Sequence, residues 1–135
     1  MMSKVEALFA EHAEDMQRLG VETGYLLATV STNCFVIEPV FFWPDTVREM
    51  HQRYVEEAHL KRLKIFDENP EAYALVKHLK GALSDLFREE GAVHLQVGKA
   101  YHYASGIQPE ALALVKALKQ HVDPDNRMNP GALGL

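Results

Sequence analysis

Three short runs hold most of the strand-forming residues of this chain, and their placement among helical stretches limits the architectures open to it. "GYLLATVS" (24–31) and "NCFVIEPVFFW" (33–43) are rich in β-branched and aromatic residues and read as two strands, the second opened by Asn33 and Cys34 and closed by "WPD". The third, "AVHLQVG" (92–98), alternates along a short strand. Helical periodicity fills the rest. Ser3 and Glu6 have capping-box spacing, and Val5, Leu8, Phe9, His12, Met16 and Leu19 follow one helical face to a stop at Gly20.

Thr46 and Glu49 repeat the capping-box spacing, which predicts a charged helix over 46–64. Asn69 and Pro70 are a cap and a first-turn proline for a stripe of Tyr73, Val76, Leu79, Leu83 and Leu86 that ends at Gly91. Pro109 opens the last helix, with Leu112, Val115, Leu118 and Val122 on one side. The order α-β-β-α-α-β-α suggests an α+β fold, a mostly antiparallel sheet covered by helices, rather than a doubly wound sheet.

At 135 residues, 47% hydrophobic and 24% charged, the chain reads as one globular domain over 1–135 with enough apolar side chains for a core. A net charge of −5 argues against a nucleic-acid surface, which needs basic side chains to displace counterions. The lone Cys34 excludes an intrachain disulfide and makes a reducing cytoplasm the easier setting. The most apolar run, "CFVIEPVFFW", is broken by Glu38 and Pro39 and is about half the ~20 residues a membrane span needs. "MMSKVEALFAEHAED" lacks a basic region followed by an apolar block, so no signal peptide is expected.

Glycine-rich phosphate cradles, a P-loop, His-Glu-x-x-His and cysteine pairs are missing from the sequence. A dinucleotide's pyrophosphate needs such a cradle, so another segment would have to hold most of a dinucleotide cofactor. His51 and His59, eight residues apart on one predicted helix, are about 12 Å from each other, too far to share a metal. His78 reads as a surface residue and His12 as a core-edge one, so no metal site is expected.

Chemistry concentrates around the third run. Strand alternation puts Val93, Leu95 and Val97 on one face and His94 and Gln96 on the other, followed by Lys99, Tyr101, His102 and Tyr103. This is either a sheet face open to water or a polar wall facing a ligand. Glu38 shares its strand face with Val36, Val40 and Phe42, where a carboxylate is costly unless paired. A backbone amide at a bulge near Pro39, or His94 or Lys99 on a neighbouring strand, would serve as its partner.

The chain ends "HVDPDNRMNPGALGL". Pro124 stops the helix, "DPDN" and "NPG" are turn sequences, and Arg127 stands between them. Bends specified this well, followed by an uncharged tip, suggest a segment that lies on something.

"LKQHVDPDNRMNPGALGL" resembles the end of FAD-linked oxidases and dehydrogenases of the vanillyl-alcohol oxidase/D-lactate dehydrogenase class, and "FVIEPVFFWPD" and "GAVHLQVGKAYHY" resemble their substrate-domain strands. The resemblance runs from about Glu22 to the C-terminus. It implies a ferredoxin-like cap, or substrate, domain with an irregular C-terminal tail, placed over a flavin. The FAD-binding domain is absent from this chain, so the cofactor would be held mainly by another domain or subunit, and the isolated chain would be inactive.

The resemblance further implies oxidation of a small 2-hydroxy acid or related alcohol. His94 and Tyr101 are the catalytic candidates, and Glu38, Gln96, Lys99, Tyr103 and Arg127 the substrate-binding ones. Asn129 of the Asn-Pro-Gly turn is the candidate toward the cofactor. The Glu-His-Gly of many relatives is replaced here by Gln96-Val97-Gly98, and their paired-histidine metal motif has no counterpart in "VSTNCFVIEP". The competing reading is a non-catalytic α+β module that binds a small ligand or forms a homo-oligomer through its sheet.

Overall fold

A computed structural model of the chain describes residues 1–94, 96 and 98–135. It is α+β: a two-stranded antiparallel sheet with several helices. The elements are α1 (Met2–Glu11), α2 (Ala13–Leu19), β1 (Glu22–Val30), β2 (Cys34–Phe42), α3 (Glu49–Tyr54), α4 (Glu57–Leu60), α5 (Pro70–Glu89), α6 (Tyr103–Gly106) and α7 (Pro109–Val122), then a 3-10 turn at Ala132–Gly134. The backbone gathers into two compact units, one of residues 6–79 and one of residues 1–5 with 80–135.

In the unit of residues 6–79, the first helical stretch breaks at His12, whose backbone leaves helical geometry (φ −111°, ψ 10°) before α2 restarts. The His12 ring meets that of His78 edge-on at 5.2 Å. Gly20 closes α2 at φ 69°, and its amide and that of Val21 reach back to Gln17 and Met16 carbonyls. This is the glycine stop the sequence indicated, since a left-handed residue there is unstrained only without a Cβ.

β1 and β2 pair from Glu22 opposite Phe42 to Val30 opposite Cys34. Phe9 of α1 packs on this ribbon through Tyr25 and Phe41, with ring centroids 6.3 and 5.6 Å away. Phe9, Met16, Val21, Ala72, Val76 and Leu79 are the buried side chains of this unit. Leu26, Leu27, Val30, Phe35 and Phe42 of the strands stay exposed.

The helix predicted over 46–64 forms as two short pieces. Arg48 precedes α3 in place of Thr46, its amide donating to His51 Nδ1 at 3.0 Å. Val55 then turns extended (φ −101°, ψ 135°), ending α3 before α4 begins. A β-branched residue gives helix little to hold it, and none of α3 or α4 is buried, so no packing overrides the break.

Asn69 caps α5 as expected: its Oδ1 accepts from Ala72 N at 3.1 Å. Its Nδ2 also donates to the carbonyls of Leu19 (3.2 Å) and Pro44 (3.3 Å), tying the end of α2 and the segment after β2 to the start of α5. Asp45 accepts from the Thr46 and Asn69 amides and from Arg48, and these donors hold its carboxyl below the usual carboxylate range.

In the unit of residues 1–5 and 80–135, Val5 and Leu83 are buried. Lys4 pairs with Glu90, an ion pair that lowers the pKa of the Glu90 carboxyl and raises that of Lys4. Gly91 closes α5 at φ 74°. The third predicted strand is absent among the described residues of 92–98: Gln96 and Gly98 are bends, and Val93 is exposed rather than packed on helices. The expected packing of Leu95 and Val97 lies outside the described residues. On α7, Leu112 and Val115 are half-buried, but Leu118 and Val122 are exposed, so the inward face is turned from the predicted one.

Candidate functional site

The polar segment after α5 forms a compact group without being a strand. Bends at Gln96 and Gly98 and the turn at Lys99–Ala100 fold the chain back, so that residues far apart on an extended strand become neighbours. The Tyr101 hydroxyl donates to Gln96 Oε1 at 2.7 Å. The His94 ring lies 4.8 Å from the Tyr101 ring and 6.2 Å from that of His102. A Cβ on Gly98 would come within 3.7 Å of the Tyr101 ring, so the bend and the phenol sit against each other.

His94, Tyr101 and His102 are half-buried and Gln96 is exposed. Two imidazoles and a phenol therefore share one patch with an amide fixing the phenol. Such a patch offers imidazole nitrogens that can accept or donate a proton, beside a hydroxyl with a set direction.

Two more residues join the group: His102, which the sequence places in the polar run without giving it a role, and Asp85, which the sequence does not single out. His102 Nε2 lies 3.6 Å from Asp85 Oδ1, and Arg88 holds the same oxygen at 3.1 Å. His102 carried a visible signal, its place beside Tyr101. Asp85 carried none, because only the path of the chain from α5 to α6 brings it there.

The remaining candidates are placed as follows. Lys99 is exposed in the turn between the two halves of the group. Tyr103 begins α6 and is half-buried. Arg127 is exposed on the tail, and among the described residues its guanidinium makes no ion pair. Asn129 is exposed at φ 48°, its carbonyl accepting from Ala132 N at 3.0 Å. Glu38 corrects an expectation: it is exposed on β2 opposite Leu26, so it bears no burial cost and needs no partner, and the strand beside it is β1.

Asp123 organises the tail. Its carboxylate is buried, pairs with Lys119 of α7, and accepts from the amides of Arg127 (2.8 Å) and Met128 (3.0 Å). Lys119 also donates to the Met128 carbonyl at 2.6 Å. The Lys119 pairing first, then the two amides, pull the Asp123 carboxyl down to about 2. Beyond it, Gly131 (φ 79°) returns the chain so that its amide meets the Leu135 carbonyl at 2.9 Å. The tip reaches α6, where a Cβ on Gly134 would stand 3.4 Å from that of Ala104. The tail thus lies on its own unit.

Residues 97–133 match the family model of the C-terminal domain of FAD linked oxidases. The match takes in Tyr101, His102, α6, α7, the Asp123 clip and the Asn129-Pro130-Gly131 turn, with His94 and Gln96 just before it. It spans little more than a quarter of the chain. No curated protein and no solved structure matches. The similarity supports a C-terminal FAD-linked oxidase domain and, with it, a flavoprotein oxidoreductase setting.

The residues present suit the substrate side of a flavin and not its pyrophosphate. Imidazole, phenol and amide groups can line a ring or a hydroxy acid, whereas among the described residues no glycine-rich turn opens a long helix. Among the described residues no three His, Cys, Asp or Glu side chains gather to hold a metal ion. A shallow surface depression walled by Phe9, Ala10, Ala13, Met16 and Val21 with Glu6 offers one ionisable group and does not compete as a reaction site. No helix among the described residues is long and apolar enough to cross a membrane.

Proposed function

We propose that this chain is the substrate-capping part of an FAD-dependent oxidoreductase of the vanillyl-alcohol oxidase/D-lactate dehydrogenase class, acting on a small 2-hydroxy acid in the cytoplasm. The observation that carries the reading is the family match over 97–133, a segment continuous with the imidazole–phenol patch. FAD, gripped mainly by a polypeptide segment outside this chain, would supply the hydride acceptor.

This chain's own residues would bind and orient. His94 takes the substrate hydroxyl proton, an imidazole being the side chain whose charge changes nearest neutral pH. Tyr101, its hydroxyl committed to Gln96, presents a fixed edge to the substrate. The cations of Lys99 and Arg127 attract the carboxylate, with Tyr103 closing the patch. Asn129, in the turn held up by the Asp123 clip, faces the cofactor's side. Glu38 is kept as a candidate substrate contact from its exposed place on β2, where its carboxylate is free of any burial cost.

Leu114, Leu118 and Val122 form an exposed apolar stripe at one-turn spacing on α7, within the matched segment. It suits the flavin-binding polypeptide as a packing surface. The test is to mix the purified chain with an FAD-loaded flavin-binding domain of an FAD-linked oxidase and record the flavin absorbance. The expected result is a colourless chain that perturbs the bound flavin's spectrum on mixing. An unchanged spectrum, or a chain that purifies yellow and oxidises a hydroxy acid unaided, would overturn the reading.

A further inference from the structure

β1 and β2 pair with each other along nine residues each, and each is bonded on one side only among the described residues. An unpaired strand edge is a row of free backbone donors and acceptors, and a two-stranded ribbon is marginal in water without further strands or cover. Leu26, Leu27 and Val30 of β1 are about half exposed, at 51%, 52% and 48%. The ribbon therefore has both the open edge and the apolar surface that a further strand would use.

The two edges differ in what they accept. A two-fold axis through the middle of β1 sets Leu26 against Leu26 of a second copy, Tyr25 against Leu27, Gly24 against Ala28, Thr23 against Thr29 and Glu22 against Val30. No like charges meet, a threonine pair and an aromatic–aliphatic pair recur on both sides of the axis, and such pairs favour antiparallel strands. The same operation on β2 sets Glu38 against Glu38 and brings in Pro39, which has no N–H to donate. β2 carries the charge and the proline that blunt an edge, and β1 carries neither within its span beyond Glu22 at its first residue.

We propose that β1 is a self-association edge: two copies of this chain pair β1 against β1, antiparallel about a two-fold axis at Leu26, to make a four-stranded sheet. The contact is isologous and closed, so it yields a dimer and not a fibre. The inference rests on the hairpin alone and is independent of the flavin reading.

Sedimentation of the full chain over a concentration series tests it. The expected mass is twice the 15.2 kDa of one chain, with β1 amides gaining hydrogen-exchange protection as concentration rises. Leu26→Lys removes the apolar Leu26 contact and places two ammonium groups at the axis, which together raise the dissociation constant ~10-fold. Within its own chain the new ammonium faces Glu38, directly opposite, so the hairpin keeps its fold. Mixing Leu26→Lys with the double variant Leu26→Glu/Glu38→Lys restores dimers by setting opposite charges across the axis. A monomer at every concentration, association indifferent to Leu26→Lys, or wild-type β1 amides whose exchange ignores concentration would overturn the proposal.

Discussion

Replacing Asn69 by alanine should unfasten the start of α5 and two other backbone ends at once. The side chain accepts one hydrogen bond as the N-cap and donates two, to the carbonyls of Leu19 and Pro44. Losing a cap costs ~1 kcal/mol. Each amide-to-carbonyl bond, part-buried here, adds ~0.5–1.5 kcal/mol. The sum is about 2–4 kcal/mol, or roughly 10 °C in Tm for a chain this size. Asn69→Asp is the informative companion: it keeps the cap acceptor but replaces the doubly donating Nδ2 with one oxygen that both carbonyls repel, so it should recover at most the cap's ~1 kcal/mol. Urea unfolding followed by far-UV circular dichroism reads both variants. An Asn69→Ala protein within ~0.5 kcal/mol of wild type would refute the reasoning, because surface changes away from such features fall in that range.

Three further outcomes are expected. Because the folded Asp123 carboxyl lies at about 2, below its unfolded value of 3.8, its contribution is fully present above pH ~4 and fades as pH falls toward 2; protection of the Arg127 and Met128 amides, relative to their intrinsic exchange rates, should fall over that window, and Asp123→Asn should abolish that change. Ser84 Oγ is buried without a partner among the described residues, so Ser84→Ala should raise stability by ~0.5–1.5 kcal/mol in the same urea assay, through better helix propensity and one fewer unsatisfied hydroxyl. In the reconstituted enzyme, His94→Ala should cut turnover at least ~100-fold, and an unchanged rate would remove His94 from the role of base.

The sequence announced the elements whose signals are local. Gly20, Gly91, Asn69-Pro70 and Pro109 each act through their own φ or a bond a few residues away, and each bounds a helix as read. The two strands were equally plain from their β-branched and aromatic density. What failed was decided by tertiary surroundings. The 46–64 stretch has a charge pattern that fits a helix, but a helix needs a face to bury, and none was buried there.

The strand read into 92–98 alternates correctly in composition, yet alternation cannot supply a partner strand. Three of the side chains named in and just after that run are neighbours all the same, for a chemical reason. His94, Gln96 and Tyr101 converge through bends instead of through a pleat, and the same side chains meet. Asp85 could not be found this way, since no periodicity links α5 to a residue beyond its end. Glu38 was singled out on a burial that depends on strands above it, and the ribbon leaves it in water.

The central claim is that this chain brings the substrate side of a reaction centre to a flavin held elsewhere. Anaerobic stopped-flow reduction of the flavin-binding polypeptide by D-lactate or glycolate, with and without this chain, measures that contribution. The expected result is bleaching of the flavin that depends on both the hydroxy acid and this chain, and that Tyr101→Phe slows by weakening the anchor on Gln96. Equal bleaching rates with and without the chain would contradict the claim.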